Sequence, residues 1–128
     1  MTTPLWCLAA VAFLPYVCAW TGAYFKLRQF GTIDNKNPRQ QATRLEGVGA
    51  RLAAAQANAW EALPFFTAAV VTAHLAGADA ATAATLSRVF VATRVLHPIF
   101  YAADLDKLRS LVFVVGFGCV VGLFWISA

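Results

Sequence analysis

A polar stripe inside an apolar segment constrains this chain more than any other feature. The segment extends from about Ala80 to Tyr101, long enough to cross a bilayer, yet it holds Arg94 and His97. A charged side chain near the centre of a membrane helix costs about 2.5–3.5 kcal/mol on insertion scales. Arg94, His97 and Tyr101 are spaced i, i+3 and i+7, which places them on one helix face. That face needs an anionic or strongly polar counterpart.

The composition favours a membrane protein. Residues are 60% hydrophobic and only 12% charged, whereas a soluble domain carries about 25% charged residues. A membrane helix needs about 20 apolar residues, and four segments approach or exceed that length. The predicted fold is all-α: a single domain, residues 1–128, forming a transmembrane four-helix bundle. Its predicted helices cover about residues 4–25, 42–75, 80–102 and 109–127.

Basic residues crowd the loop after the first segment, which bears on orientation. The net charge of +4 would suggest nucleic acid in a soluble protein. Here the positive-inside rule offers a better explanation, and we expect no nucleic-acid partner. The rule places the first and third loops in the cytoplasm and both termini on the opposite side. The three cysteines show no metal-ligand spacing, and we expect no metal.

With this orientation, all four helices bring polar groups to one cytoplasmic layer. Cations in that layer outnumber its single acid, Glu61. Because arginine binds carboxylates through paired charge-assisted hydrogen bonds, the surplus suits an anionic ligand. Glu61 and Asn58 suit an ammonium group or amide donors. We therefore expect a small ligand that carries carboxylates, an amine and peptide groups.

Structural roles for the same residues remain open. Glu61 can pair with an arginine inside the bundle, and Arg28 can extend to the interface merely as a topology signal. His97 can be a satisfied structural histidine, and Tyr101 can belong to an interfacial aromatic belt. Under each of these alternatives the polar layer stabilises the fold, and no ligand is needed to explain it.

Two blocks of the sequence resemble the MAPEG family, the membrane-associated proteins in eicosanoid and glutathione metabolism. The first leads from Asn37-Pro38-Arg39 through Arg51 to an N-x-x-E-x-x-P pattern at residues 58–64. The second is an R-x-x-H-x-x-x-Y pattern at residues 94–101, followed by Arg109 and Ser110. Together these blocks extend the resemblance over nearly the whole chain.

The resemblance implies a homotrimer that binds glutathione between neighbouring subunits near the cytoplasmic side. Arg109 resembles the arginine that stabilises the glutathione thiolate in active members, with Ser110 beside it. Arg28 resembles the basic end of helix one, offered by the adjacent subunit. The other implied contacts come from the second and third helices. The implied glutathione-binding residues are Arg28, Arg51, Asn58, Glu61, Arg94, His97 and Tyr101.

The predicted function is that of an integral membrane transferase or peroxidase, with glutathione as cofactor and a lipophilic electrophile as second substrate. Its expected partners are membrane lipid and two further copies of the chain. The alternative is a non-catalytic lipid-binding or accessory membrane protein of the same fold. A small transporter is disfavoured because the four segments show no evident inverted repeat.

Overall fold

A computed structural model describes all residues from Met1 to Ala128 and contains five helices and no strand. The all-α prediction is therefore confirmed. Four of the helices are long, and a five-residue helix lies in the loop between the first two of them. In chain order the helices are α1 (Thr3–Phe30), α2 (Pro38–Ala42), α3 (Gly47–Leu75), α4 (Ala80–Ala102) and α5 (Asp106–Trp125).

The helix ends differ from those expected from the sequence. α1 continues past residue 25 to Phe30 and ends where Gly31, at φ 73°, donates its N–H to the Leu27 carbonyl. The helix expected from residue 42 begins five residues later: α2 ends at Ala42, and α3 begins at Gly47. α5 begins at Asp106, before the expected residue 109. Glycine tolerates the left-handed backbone that stops a helix, which explains the end of α1.

A short turn joins α3 to α4. Gly77 adopts φ 67°, and Asp79 caps α4 by accepting hydrogen bonds from Thr82 N (2.8 Å) and Thr82 Oγ1 (2.6 Å). These bonds stabilise the carboxylate and lower the pKa of Asp79 below its ordinary value. Because the turn is short, α3 and α4 are antiparallel neighbours.

The two middle helices hold the bundle together. α3 and α4 contact each other, and each of them also contacts both α1 and α5. As a result, residues from α3, α4 and α5 meet along one side of the bundle. The candidate site lies on this side.

The hydrophobic core occupies the half of the bundle next to the α3–α4 turn, which we call the apolar half. Its centre is a stacked pair, Phe66 and Phe90, whose ring centroids lie 4.0 Å apart. Aromatic stacking and close packing of this kind leave little space for solvent or ligand. The core residues of the apolar half are Val11, Phe66, Ala69, Val70, Ala73, Ala83, Phe90, Cys119, Val120 and Leu123.

The outer surface carries many large apolar side chains. All four tryptophans face outward, with exposed fractions of 62% for Trp6, 71% for Trp20, 42% for Trp60 and 81% for Trp125. α1 and α5 are also long and apolar enough to cross a membrane. An exposed apolar surface of this extent fits lipid or neighbouring subunits. Four spans, and the side on which the termini lie, stay predictions.

Candidate functional site

A cavity of about 490 Å³ opens between α3, α4 and α5, beyond the core, in what we call the polar half of the bundle. Its volume is within the range of small-molecule sites. α1 contributes none of the residues that line it. The cavity is lined by Ala54, Ala57, Asn58, Glu61, His97, Tyr101, Arg109, Ser110, Phe113 and Val114.

One face of α3 forms the first wall. Asn58 and Glu61 are three residues apart, so their side chains lie one above the other. Ala54 and Ala57 occupy the preceding turn of the same face, where their methyl groups leave space beside the two polar residues. The alanine-rich sequence also favours the helical backbone that holds this wall in place.

Glu61 is the only acid that lines the cavity, and its side chain is exposed. The two arginines that could pair with it inside the bundle donate elsewhere: Arg51 to the Ala102 carbonyl, and Arg94 to Asn58 Oδ1 and the Val112 carbonyl. The carboxylate therefore keeps its acceptor capacity for a ligand. The structure does not show the internal ion pair that the sequence left open.

The opposite wall is a stack of three side chains from α4 and α5. The rings of His97 and Tyr101 pack edge to face, with centroids 5.8 Å apart. The Arg109 guanidinium carbon lies 4.4 Å from the Tyr101 ring centroid, a cation–π contact that fixes its position. Ser110 follows Arg109 in the cavity wall, and both belong to the beginning of α5. A fixed cation at the positive end of a helix favours a bound anion.

Arg94 lies below the cavity rather than in its wall. It is 5% exposed and donates hydrogen bonds from Nη1 to Asn58 Oδ1 (3.2 Å) and from Nη2 to the Val112 carbonyl (3.3 Å). Its guanidinium carbon lies 5.5 Å from the Phe90 ring centroid and 5.7 Å from that of Phe113. Arg94 thus links all three helices at the base of the site.

The close approach of α5 to Arg94 depends on Gly116. A Cβ atom at this position would lie 2.7 Å from Thr93 Oγ1 and 3.0 Å from Arg94 Nη2. Contacts that short require a neighbour to move, so only glycine fits the observed arrangement. From the sequence alone Gly116 is only a small residue, and its close approach to Arg94 is not apparent.

Besides Arg94, two predicted binding residues lie outside the 490 Å³ cavity of a single chain. Arg51 donates from Nε and Nη2 to the carbonyl of Ala102, at 3.3 and 3.2 Å, and so satisfies an acceptor at the C-terminus of α4. Arg28 is exposed on α1 and donates to Tyr24 Oη at 3.1 Å. Six of the predicted residues do line the cavity: Asn58, Glu61, His97, Tyr101, Arg109 and Ser110.

Sequence reasoning missed the apolar part of the site. A second cavity of about 230 Å³ adjoins the first, since both include Asn58, Glu61 and Phe113. Phe113, Phe117 and Val120 recur at helical spacing after Arg109, and this pattern was the available signal. The lining of the second cavity is Asn58, Glu61, Ala62, Phe65, Phe90, Arg94, Phe113, Phe117 and Val120.

These features define a class: an all-α membrane protein with a polar cavity beside an apolar one. The MAPEG family pattern matches residues 3–128, nearly the full length of the chain. The chain therefore belongs to the MAPEG family, whose members act in glutathione and eicosanoid metabolism. Comparisons with curated proteins and with solved structures give no match.

Proposed function

We propose that this protein is an integral membrane glutathione transferase or peroxidase that acts on lipophilic electrophiles. One observation carries the proposal: a single cavity of about 490 Å³ holds the unpaired Glu61 carboxylate on one wall and the fixed Arg109 guanidinium on the other. Family membership supports glutathione as the ligand, because members generally use it as substrate or cofactor.

Glutathione has groups that match both walls of the cavity. Its ammonium group suits the Glu61 carboxylate, and its peptide groups suit the amide of Asn58. Its thiol would then lie toward Arg109 and Ser110 at the beginning of α5. His97 and Tyr101, between the base of the site and Arg109, bound the space in which the tripeptide lies.

Electrostatics explain how Arg109 would activate the thiol. A free thiol with a pKa near 8.5 is only a few per cent ionised at neutral pH. A guanidinium beside the sulfur interacts more strongly with the thiolate than with the thiol and therefore lowers the pKa of glutathione. The proton leaves to solvent, the thiolate attacks the electrophilic carbon, and a new C–S bond replaces the bond to the leaving group. Ser110 can donate its hydroxyl hydrogen to the same sulfur.

The adjoining apolar cavity suits the second substrate. Its aromatic side chains include Phe65 and Phe117, which lie 5.7 Å apart in a stacked arrangement and are both exposed at the bundle surface. A lipophilic molecule can enter there from the bilayer without crossing water. It would then lie beside the wall residues that the two cavities share.

We also propose that the long helices all span the membrane and that three chains assemble around helix α3. The exposed apolar surface and the open cavity of the single chain support this, because a neighbour would cover both. Arg28 would then reach the cavity from the adjacent subunit. Crosslinking in lipid should give a ladder that ends at three chains, and a stable monomer that binds glutathione would contradict the trimer.

The test of function compares two ligands on the purified protein in detergent or lipid. Glutathione should bind and produce the ultraviolet absorbance of a thiolate. S-methylglutathione, which lacks the ionisable thiol, should bind without that signal. Turnover with a chlorinated nitrobenzene should accompany glutathione binding. If millimolar glutathione neither binds nor yields a thiolate signal, the protein is instead a non-catalytic lipid-binding or accessory member of its family.

A further inference from the structure

We infer that Arg94 is a positioning residue that orients the side-chain amide of Asn58, so that Asn58 offers the ligand hydrogen-bond donors only. The inference rests on the proposed glutathione site and deepens it. It assigns Arg94 an indirect role in place of the direct ligand contact expected from the sequence. It also states what chemistry one wall of the cavity recognises.

The surroundings of Arg94 keep it out of the wall of the 490 Å³ cavity, although it lines the adjoining 230 Å³ cavity. The side chain is 5% exposed. Nη1 donates to Asn58 and Nη2 to the Val112 carbonyl, while Nε is buried without a hydrogen-bond partner. Phe90 and Phe113 contact the guanidinium as well. A direct contact with glutathione in the main cavity would require this arrangement to open.

The hydrogen bond from Arg94 fixes which way the Asn58 amide faces. Arginine has five donors and no acceptor, so the atom of Asn58 that meets it must be the oxygen. The Nδ2 group then points away from Arg94, and we place it toward the 490 Å³ cavity because Asn58 lines that cavity whereas Arg94 does not. Without Arg94 the amide can rotate and offer the ligand either group.

This orientation makes α3 a wall with two distinct chemistries. Asn58 presents N–H donors, which recognise a carbonyl or carboxylate oxygen. Glu61, one turn further along, presents acceptors, which recognise an ammonium or an N–H group. The favoured ligand therefore carries an oxygen acceptor close to an amine, as the γ-glutamyl part of glutathione does. An amide N–H placed against Asn58 would meet another donor and bind poorly.

Gly116 offers a way to disturb Arg94 from outside both cavities, together with Thr93, whose Oγ1 would lie 2.7 Å from a Cβ at this position. The same Cβ would lie 3.0 Å from Arg94 Nη2, and Gly116 lines neither cavity. Gly118, on the same helix, has no atom within 4 Å of the position its Cβ would take. Gly116→Ala and Gly118→Ala are therefore matched substitutions that differ in their effect on the guanidinium.

A double-mutant cycle tests whether Arg94 acts through Asn58. Glutathione affinity is measured by calorimetry for the wild type, Arg94→Gln, Asn58→Ala and the double variant, with thermal unfolding followed for each. We expect each single substitution to weaken binding at least ~10-fold, equivalent to about 1.4 kcal/mol. The double variant should bind no more weakly than Asn58→Ala alone. Additive losses would overturn the inference, since they would mean that Arg94 contributes independently of Asn58.

The glycine pair provides a second readout if Arg94→Gln folds poorly. Gly116→Ala should weaken glutathione binding, whereas Gly118→Ala should leave it unchanged. In the Asn58→Ala background, Gly116→Ala should have no further effect. Equal affinities for Gly116→Ala and the wild type would overturn the inference. If the wild type itself does not bind glutathione, the proposed function fails first, and this inference falls with it.

Discussion

Helices α3, α4 and α5 pack around a stacked aromatic pair in the apolar half of the bundle and leave an open polar cavity in the polar half. In the apolar half, Phe66 of α3 stacks on Phe90 of α4 at 4.0 Å. In the polar half, α3 presents Ala54 and Ala57 instead, and a volume of about 490 Å³ remains. The stacked rings fill the space between α3 and α4 at the first level, and the alanines leave space at the second.

Arg94 marks the boundary between the two halves. Its guanidinium contacts Phe90, a core residue, and also Phe113, which belongs to the cavity wall. The comparison suggests that the apolar half supplies stability and the polar half supplies recognition. Substitutions in each half should then separate the two properties.

Phe66→Ala should cause the largest loss of stability. Phe66 is fully buried and would leave a cavity in the core. We expect a cost of about 3 kcal/mol, the low end for a buried Phe→Ala change, because packing dominates when lipid rather than water is the alternative environment. Thermal unfolding in detergent measures it, with Phe13→Ala, 67% exposed on α1, as the control. Equal melting temperatures for the two variants would contradict the idea that the apolar half supplies stability.

Glu61→Gln should weaken glutathione binding with little change in stability, because Glu61 is exposed and bonds to no arginine. Losing a hydrogen bond to a charged group costs about 2 kcal/mol, or roughly 30-fold in affinity. Calorimetry measures the affinity. Glu46→Gln, the same substitution at an exposed acid just before α3 and outside the cavity, is the control. A fall in melting temperature with unchanged affinity would instead indicate a structural role.

Arg109→Leu should reduce turnover more than binding. The remaining wall residues still hold glutathione, but the thiolate loses its cation. Turnover with a chlorinated nitrobenzene should fall at least ~10-fold, which corresponds to about 1.4 kcal/mol of barrier. The pH at which the rate reaches half its maximum should rise. Arg109→Lys keeps the charge, and Lys107→Leu removes an exposed cation outside the cavity. An unchanged pH–rate profile in Arg109→Leu would remove this arginine from the mechanism.

Asp79→Ala should have the smallest effect, a modest fall in melting temperature with unchanged glutathione affinity. The cap of α4 holds the pKa of Asp79 below its unfolded value, so its stabilisation is fully present above the unfolded pKa. That contribution is lost as pH falls through the lower, folded pKa. Asp79→Asn keeps an acceptor for Thr82 and should lose less. A melting temperature that shows the same acid dependence in Asp79→Ala and wild type would contradict this account.

Spacing and antiparallel order were enough to predict much of the candidate site. His97 and Tyr101 share one face of α4, and Asn58 and Glu61 share one face of α3. Antiparallel neighbours place residues near the end of one helix level with those near the beginning of the next. The sequence therefore anticipated which residues line one cavity, although their role in binding stays a proposal.

Helix-face spacing does not predict which side chains form hydrogen bonds with backbone atoms. Arg51 satisfies the Ala102 carbonyl, an acceptor that every residue possesses, so composition gives no sign of it. The loop between α1 and α3 also depends on hydrogen bonds from a side chain to the backbone. Buried Gln41 donates to the Thr32 carbonyl and accepts from Asp34 N, and these bonds order a segment that looks like an ordinary polar loop. Gln29 likewise donates to the Arg44 carbonyl and accepts from Glu46 N, just before α3 begins at Gly47 with φ 54°. These contacts hold residues 44–46 outside the helix, so α3 begins later than expected.

The outward position of all four tryptophans has a practical consequence for spectroscopy. None of Trp6, Trp20, Trp60 and Trp125 lines the 490 Å³ cavity, and each is exposed at the bundle surface. Intrinsic fluorescence should therefore respond weakly to a ligand in that cavity and strongly to whatever surrounds the bundle. Lipids carrying bromine at defined positions along their acyl chains would quench each indole according to its depth. Quenching of the four tryptophans would thus measure the depth of the protein in a bilayer.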